Sequence, residues 1–415
     1  MSSDLRRSVT ARFLFPGIGA PLERGTVEIV DGVIAAVHDR QDAAAVDLGN
    51  VAIVPGLINV HTHLEFSDLS EPIPRGDSFA AWIRGVVAHR RDRAGAVVDV
   101  VRRGLEECVQ HGTTIVGEVA TDDDAAARCV TGGPGVVVFR EVLGFGPGAV
   151  AGQLETARAF VSRSPAFSKS RASVKSRVSR TGLSPHAPYS VHPDVWPELV
   201  RIANENGAPV AAHVAETREE LEFLNRGTGP LAEMLQEFGV WRAGVIVPGT
   251  RPMDSLRILA EANRGLVVHG NYLADDEQRF LAGCDRLSLV YCPRTHAYFG
   301  HERHPWREVM RRGGNVALGT DGRASNSDLS LWRELQFLRR RSAELSDIEL
   351  LQLATLNGAR ALGFAETTGS LAPGNRADLA VVELREVGNL FHAGNRVVGT
   401  MIGGEWVSRP PMSGH

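Results

Sequence analysis

Five residues have the types and positions expected of a metal site. His61 and His63 directly follow an apolar run, and residues two apart on a strand face the same side. His213 and His269 each end another apolar run, and Asp321 follows a further one. Imidazoles together with a carboxylate suit a divalent metal ion. If these strand ends meet, the sequence predicts one bound metal, with Zn²⁺ first and Fe²⁺ or Mn²⁺ as alternatives.

Glu216 is the candidate for moving protons at such a site. A bound metal lowers the pKa of water and supplies hydroxide near neutral pH, and a side chain must then carry a proton to the leaving group. Glu216 lies three residues after His213, which places it near the same strand end. It could instead cap the helix predicted directly after it. We favour the catalytic role because hydrolysis requires a proton carrier.

The lysines bear on the number of metal ions. The chain has only two, Lys169 and Lys175, and both lie in a Ser/Arg-rich stretch at residues 162–180. Two-metal barrels often bridge their ions with a carbamylated lysine on the fourth strand, where this chain has none. A carboxylate bridge from Glu118 or Glu141 remains open. One metal is the simpler interpretation.

Eight apolar runs of strand length alternate with helical patterns through the middle of the chain. This alternation is typical of a parallel sheet with crossover helices, and eight such units favour a closed (β/α)₈ TIM barrel. Barrel enzymes place their active sites at the C-terminal ends of the strands, which is where the candidate ligands lie. The predicted strands are Ala52–Val60, Thr114–Val119, Val136–Val142, Thr181–Pro185, Pro209–His213, Gly265–His269, Leu287–Cys292 and Asn315–Gly319.

Both ends of the chain predict β structure. Two short apolar runs flank Asp31-Gly32, which is a strong hairpin signal, and a Gly-Gly pair joins two more near the C-terminus. Neither end supplies enough strands to bury a sheet face alone. We therefore expect the two ends to form one small composite β-sandwich domain beside the barrel. The predicted segments are 1–54 and 365–415 for the sandwich and 55–364 for the barrel.

Composition and charge limit the class of protein. A hydrophobic fraction of 43% and a net charge of -4 are ordinary for a globular protein and offer no surface for a polyanion. The Ser/Arg-rich stretch is interpreted as a solvated loop, so no nucleic-acid partner is expected. No run reaches the roughly 18 apolar residues of a membrane span, and no signal-peptide pattern or disulfide spacing is present. We expect a cytoplasmic protein that acts on a small molecule.

The motifs resemble those of the amidohydrolase superfamily, and within it the cytosine/adenosine-deaminase-like branch. The resemblance rests on Pro-Gly-Leu-Ile-Asn-Val-His-Thr-His at residues 55–63, on His213 and His269, and on Gly-Thr-Asp-Gly at residues 319–322. It covers nearly the whole chain. It implies a barrel with one metal and hydrolytic deamination, and a homodimer is a frequent state in this branch.

The resemblance also implies a role for each candidate residue. His269 would orient the attacking water, Asp321 would help to deprotonate it, and Glu216 would shuttle protons. His186 matches a position that contacts the nucleoside, although a histidine in this Pro-rich segment could simply stabilise a turn. The residues that the resemblance assigns to the metal are His61, His63, His213 and Asp321.

Two motifs, at residues 63–67 and 292–301, resemble the aminodeoxyfutalosine deaminases of menaquinone biosynthesis. The substrate of those enzymes is an adenine nucleoside that carries a benzoate arm. A carboxylate favours an arginine fork as its partner, and Arg294, Arg323 and Arg140 are the candidates. The sequence assigns no role to Glu65, His296, His301 and His304.

Two other functions remain open. Related barrels with nearly the same ligands remove chloride from triazines or open cyclic amides, and fold alone does not separate these reactions. The other possibility is a metal-binding barrel that serves a partner without turnover. We favour deamination of an aminopurine nucleoside, because attack at C6 needs protonation of the ring nitrogen and a grip on the sugar or base, for which Glu216 and His186 are the candidates. A barrel without turnover would have no need to keep Glu216 together with the complete set of candidate ligands.

Overall fold

Eight parallel strands form the centre of the protein. The structure is a computed structural model, and it describes residues 6–93, 96–121, 133–146, 148, 150–162, 179–242 and 244–411. The strands are hydrogen-bonded in chain order, and the N–H of Asp321, after the last strand, donates to the carbonyl of His61 in the first at 3.1 Å. The predicted (β/α)₈ barrel is confirmed. Numbered with all strands of the chain, its strands are β8 Leu57–Thr62, β9 Thr113–Ala120, β10 Gly135–Val142, β11 Ser179–Pro185, β12 Val210–Val214, β13 Gly265–His269, β14 Leu287–Tyr291 and β15 Asn315–Leu318.

Helices follow the barrel strands and cover their outer faces. Apolar side chains such as Ile58, Ile115 and Leu266 fill the inside of the barrel, while a larger apolar cluster lies between the strands and the helices. Within the described ranges, no helix has the length and apolar character that crossing a membrane requires. Besides a 3₁₀ turn at Leu64–Phe66, the helices are Phe79–Asp92, Val97–Gln110, Val150–Ser162, Val195–Glu205, Arg218–Arg226, Pro230–Glu237, Pro252–Ala260, Asp275–Ala282, Pro293–Phe299, Trp306–Arg311, Leu331–Arg339, Asp347–Leu353 and Leu356–Leu362.

The two ends of the chain combine in a β-sandwich, as predicted. One sheet has the order β5-β4-β1-β6 and the other β18-β17-β16-β7-β2-β3, so N- and C-terminal strands share the second sheet. Their facing apolar residues form a separate core. The domain boundaries at 54/55 and 364/365 stay a prediction. The strands are β1 Arg6–Thr10, β2 Phe13–Leu14, β3 Leu22–Glu23, β4 Thr26–Val30, β5 Val33–His38, β6 Val46–Asp47, β7 Val51–Pro55, β16 Leu379–Glu383, β17 Arg396–Ile402 and β18 Glu405–Ser408.

The predicted strand Ala52–Val60 is two strands. β7 pairs with β16 in the sandwich and β8 pairs with β9 in the barrel. They meet at Gly56, where a Cβ atom would lie 2.3 Å from Oγ1 of Thr114, so only glycine fits. Both strands are buried, and their apolar residues therefore form one continuous hydrophobic run in the sequence. By contrast, the hairpin at Asp31-Gly32 is confirmed, with φ angles of +53° and +81°.

Candidate active site

Four side chains from three strand ends converge at the barrel mouth. His61 lies in β8 and His63 directly after it, His213 lies in β12, and Asp321 follows β15. Nε2 of His213 lies 3.3 Å from Nε2 of His61 and 3.3 Å from Nε2 of His63. Oδ1 of Asp321 lies 3.4 Å from Nε2 of His61 and 3.7 Å from Nε2 of His63. All four side chains are buried, so their polar atoms face one another away from bulk water.

These donor atoms fit a divalent metal ion. Nδ1 of His213 donates to the carbonyl oxygen of His186 at 2.8 Å, so the lone pair on its Nε2 points towards the other ligands. Nitrogen ligands about 2.0–2.1 Å from a tetrahedral zinc ion lie roughly 3.3 Å apart, which is the spacing found here. In the described residues, two groups have ligand atoms that all lie within 4.8 Å of one another. One group is His61, His213 and His269, and the other is His61, His63 and Asp321.

Burial and neighbouring groups together set the protonation of the candidate ligands. Burial lowers the pKa of His213 to about 3, with the imidazoles of His186 and His61 adding to the effect, and it lowers the pKa of His63 well below the usual value. Burial alone would raise the pKa of Asp321, but the hydrogen bond and charge interaction with His61 outweigh it and hold that pKa well below its usual value. Neutral imidazoles and an ionised carboxylate are the forms that bind metals.

Three residues at the barrel mouth have left-handed backbones although they are not glycine. The φ angles are +55° at Ala215, +67° at His269 and +58° at Asp321, in a region that residues with side chains seldom adopt. The carboxylate of Glu220 accepts the N–H of Ala215 at 2.7 Å and the N–H of Glu216 at 2.8 Å. Such conformations cluster at functional sites, where surrounding contacts fix them. The buried Glu220 thus sets the turn that carries Glu216.

Glu216 and His269 lie together beside the candidate ligands. Oε1 of Glu216 lies 3.4 Å from Nε2 of His269, and the carbonyl of Glu216 accepts Nδ2 of Asn271 at 2.9 Å. Burial, together with the carboxylates of Asp321 and Glu220, raises the pKa of Glu216 well above its usual value. A carboxyl group whose pKa is moved towards neutrality can both take and give a proton. The role of Glu216 as a proton carrier stays a prediction.

His304, whose role the sequence left open, supports His269. The N–H of Trp306 donates to Nδ1 of His304 at 2.9 Å, so the ring proton lies on Nε2, which donates to the carbonyl of His269 at 2.7 Å. The ring also packs on Tyr291, with centroids 3.9 Å apart. His304 therefore holds the left-handed backbone of His269 in place.

The carboxylates considered as metal bridges have other contacts. Glu118 accepts Oγ1 of Thr62 at 2.5 Å and the N–H of Leu64 at 3.0 Å, so it holds the turn after β8. Glu141 lies 3.4 Å from Nη2 of Arg90. Neither belongs to the groups of close ligand atoms found in the described part of the chain. Lys169 and Lys175, with most of the Ser/Arg-rich stretch, lie outside the described residues.

A cavity of about 350 Å³ opens beside the candidate ligands, a size typical of small-molecule sites. His186 lies in its wall, with Nδ1 2.6 Å from Oγ of Ser190, and burial lowers its pKa to about 3. The ring is therefore neutral and available for hydrogen bonds to a ligand. The predicted site residues that line the cavity are His63, His186, His213, Glu216, His269 and Asp321.

Comparison with known proteins identifies the family. The sequence profile of the amidohydrolase family matches residues 52–407, which is most of the chain. The chain belongs to the amidohydrolase family.

Relatives of this amidohydrolase include deaminases. The aminodeoxyfutalosine deaminase of a Nitratiruptor species is 28% identical over 371 residues, which cover 87% of this chain and 86% of the relative. The 5-methylthioadenosine/S-adenosylhomocysteine deaminase of Pyrococcus furiosus is 29% identical over 378 residues, which cover 87% and 83%. This amidohydrolase is accordingly a metal-dependent hydrolase that acts on C–N bonds.

Solved structures share the fold of this amidohydrolase. A zinc-bound adenosine deaminase from Xanthomonas campestris superposes with a TM-score of 0.77 at 24% identity, covering 96% of this chain and 92% of the other. Helicobacter pylori aminofutalosine deaminase in complex with methylthio-coformycin gives a TM-score of 0.79 at 22% identity, covering 96% and 99%. These likenesses support the barrel with its terminal sandwich.

The arginines predicted to bind a carboxylate lie apart from the cavity of this amidohydrolase. Arg323 makes two hydrogen bonds to Glu107, at 3.1 and 2.9 Å, and Arg140 donates to backbone carbonyls. Arg294 lies in an ion-pair cluster after β14. Among the described residues that line the cavity, the only arginine is Arg90. A role of the three arginines in substrate binding stays a prediction.

Replacing Arg294 with glutamine should lower the free energy of unfolding of this amidohydrolase. Its guanidinium group lies 2.7 Å from Glu334 and 2.7 Å from Asp328, and the Glu334 side chain is fully buried. Removing one partner of a buried ion pair costs about 3–5 kcal/mol because it leaves an unpaired charge. Denaturant unfolding measures this difference.

The exposed pair of Arg102 and Glu106 provides the control for Arg294. Arg102→Gln should change stability by less than about 1 kcal/mol, since exposed pairs contribute little. If Arg294→Gln leaves the free energy of unfolding unchanged and raises KM more than about 10-fold, Arg294 binds the substrate instead.

Arg90 lines the cavity, although no motif in the sequence predicted a role for it or for its helix. Nη2 of Arg90 lies 2.7 Å from Oε1 of Glu65 and 3.4 Å from Oε2 of Glu141. Arg93 also approaches Glu65, at 3.3 Å. The one signal in the sequence is position, because segments that follow barrel strands build the active-site mouth. Helix Phe79–Asp92 comes after the first barrel strand but has no motif of its own.

Proposed function

We propose that this amidohydrolase is a hydrolytic deaminase of an aminopurine nucleoside, with aminodeoxyfutalosine, from menaquinone biosynthesis, as the first candidate. The observation that carries the proposal is the buried Glu216, which lies next to the candidate metal ligands and lines the same cavity as His186. Hydrolysis at C6 of a purine requires protonation of the ring nitrogen and a grip on the base or sugar. We assign these tasks to Glu216 and His186, and the deaminase names of two relatives support the proposal.

His61, His63, His213 and Asp321 would hold the metal, and His269 completes a second group of close ligand atoms. Zinc is our proposal, supported by the zinc bound in the similar adenosine deaminase of Xanthomonas campestris and by the imidazole-rich donor set. When bound, the metal would lower the pKa of water so that water attacks near neutral pH.

Side chains of this amidohydrolase would move the protons. Glu216 takes a proton from the attacking water and delivers it to the ring nitrogen beside C6, which makes C6 a better electrophile. The water oxygen bonds to C6, the hydroxyl group so formed gives its remaining proton to the amino group, the C6–N bond breaks, and ammonia leaves. His269, with Nε2 3.4 Å from Glu216, orients the water. Asp321 is fixed by Oγ of Ser325, which donates to its Oδ2 at 2.6 Å, and so can help to deprotonate the water. Groups held in place before the reaction stabilise the transition state most effectively.

Ammonia release by the zinc-loaded protein tests the proposed function. The panel contains aminodeoxyfutalosine, adenosine, S-adenosylhomocysteine, 5′-methylthioadenosine, guanine and cytosine, with a chlorotriazine assayed for chloride. We expect ammonia from the adenine nucleosides and from neither free base. Chloride release without ammonia would show that the enzyme is a chlorohydrolase. If the metal-loaded protein releases neither ammonia nor chloride from any compound of the panel, the proposal is overturned.

A further inference from the structure

The cavity changes character between its floor and its rim. At the floor, His213 and Asp321 are buried and polar. At the rim, Val87 is 41% exposed, Leu143 41% and Phe238 39%, although all three side chains are large and apolar. The three line the same cavity as the floor residues. A group of exposed apolar side chains at one opening indicates a binding surface.

The walls behind this rim are apolar as well. Phe79 and Trp82 lie in the wall, with ring centroids 5.4 Å apart, and Met234 and Leu235 line it from a different helix. The carboxylate of Glu219 accepts the N–H of Phe79 at 2.6 Å, which joins the aromatic wall to the helix after the Glu216 turn. A ligand that extends from the floor towards solvent therefore passes between apolar surfaces.

Among the described residues of the cavity wall, the one arginine already has carboxylate partners. Arg90, the only arginine among the described lining residues, lies between the carboxylates of Glu65 and Glu141. Oε1 of Glu141 is buried without a hydrogen-bond partner, so a ligand carboxylate placed there would meet a like charge at close range. Because Nη2 of Arg90 contacts both carboxylates, a ligand carboxylate beside Arg90 would lie close to Glu65 and Glu141.

We propose, on the basis of the proposed nucleoside deaminase function, that Val87, Leu143 and Phe238 bind an apolar or aromatic substituent at the 5′ carbon of the sugar. The amino group of the base must reach the floor beside Glu216, so the opposite end of the nucleoside points to the rim. Burial of apolar surface between substituent and rim provides the recognition. A charged group on the substituent stays in solvent and pairs with no arginine among the described residues of the cavity wall.

Matched substrates distinguish recognition of the substituent by apolar contact from recognition by charge. The probes are adenosine, 5′-phenylthio-5′-deoxyadenosine and the para-carboxy derivative of the latter, assayed for ammonia at low and high salt. We expect kcat/KM for the phenylthio compound to exceed that for adenosine by about 10-fold or more. The para-carboxylate should add less than about threefold, and its KM should not rise with salt.

Rim variants link this preference to the named residues. Phe238→Ala and Leu143→Ala should each lower kcat/KM for the phenylthio compound by about 10-fold and leave adenosine within about twofold. Val247→Ala removes an apolar side chain that is 69% exposed elsewhere on the surface, and it should leave all three substrates unchanged.

Four results would overturn the inference. A large, salt-sensitive gain from the carboxylate would show that a cation binds the arm. Equal losses for adenosine and the phenylthio compound in both rim variants would show that the rim only supports the fold. If the nucleosides are deaminated but the phenylthio compound is not preferred over adenosine, the inference fails while the proposed function stands. If no nucleoside releases ammonia, both the inference and the proposed function fail.

Discussion

Replacing Glu216 with glutamine should leave the metal in place and lower turnover by about 10²–10⁴-fold, the usual loss when a general acid or base is removed. Glutamine keeps the shape of the side chain. The turn is held through the backbone, where the N–H of Glu216 donates to Glu220 and its carbonyl accepts from Asn271. The variant therefore loses the ability to carry a proton and little else. Steady-state kinetics and metal content, measured on the same preparation, give the two readouts.

Glu233→Gln is the matched control, because it removes the same charge from an exposed position on helix Pro230–Glu237. Its turnover should equal that of the unchanged enzyme. If Glu216→Gln retains its metal and stays within about threefold of full turnover, Glu216 has no part in the chemistry. If metal content and turnover fall together, Glu216 helps to hold the metal.

Asp321→Asn should weaken metal binding and lower turnover. Loss of a partner that only orients a ligand costs about 10–100-fold in metal affinity, and loss of a charged ligand should cost at least as much. Asparagine is the appropriate replacement because φ at this position is +58°, and asparagine adopts the left-handed region more readily than most residues. Competition with a chelator measures the affinity, and ammonia release measures the rate.

Added zinc distinguishes two roles of Asp321. If the carboxylate only binds metal, saturating zinc should restore most of the turnover of Asp321→Asn; if it also takes a proton from water, turnover should stay low. Asp285→Asn, at an exposed position, controls for the loss of a charge and should behave as the unchanged enzyme. Full affinity and full turnover of Asp321→Asn would exclude Asp321 from the metal site.

The strands of the barrel were predictable because their local pattern is strong. The predicted run Thr114–Val119 corresponds to Thr113–Ala120, and Gly265–His269 is reproduced without change. Buried parallel strands consist of short continuous apolar runs, which flanking polar residues delimit. The same property caused the error at Ala52–Val60, since a glycine between two buried strands leaves no break in hydrophobicity.

The candidate ligands were predictable for a related reason. His61, His213 and His269 each end an apolar run, and parallel strands in a barrel bring their C-terminal ends to one side. Order along the chain was therefore enough to infer that these imidazoles meet. The residues that orient them were not predictable, because Glu220 and His304 act on backbone groups and follow no spacing rule.

The character of the cavity wall was decided by tertiary contacts alone. The sequence predicted three arginines as partners for a substrate carboxylate. Whether a guanidinium group is available to a ligand depends on which carboxylates of the folded protein lie next to it. Arg294 contacts Glu334, 40 residues away, and Arg90 contacts Glu141, 51 residues away. Local periodicity therefore determined the barrel and the side chains that converge at its mouth. Pairing between distant segments determined which charges remain available there, because electrostatic neutralisation depends on distance in space and not on distance along the chain.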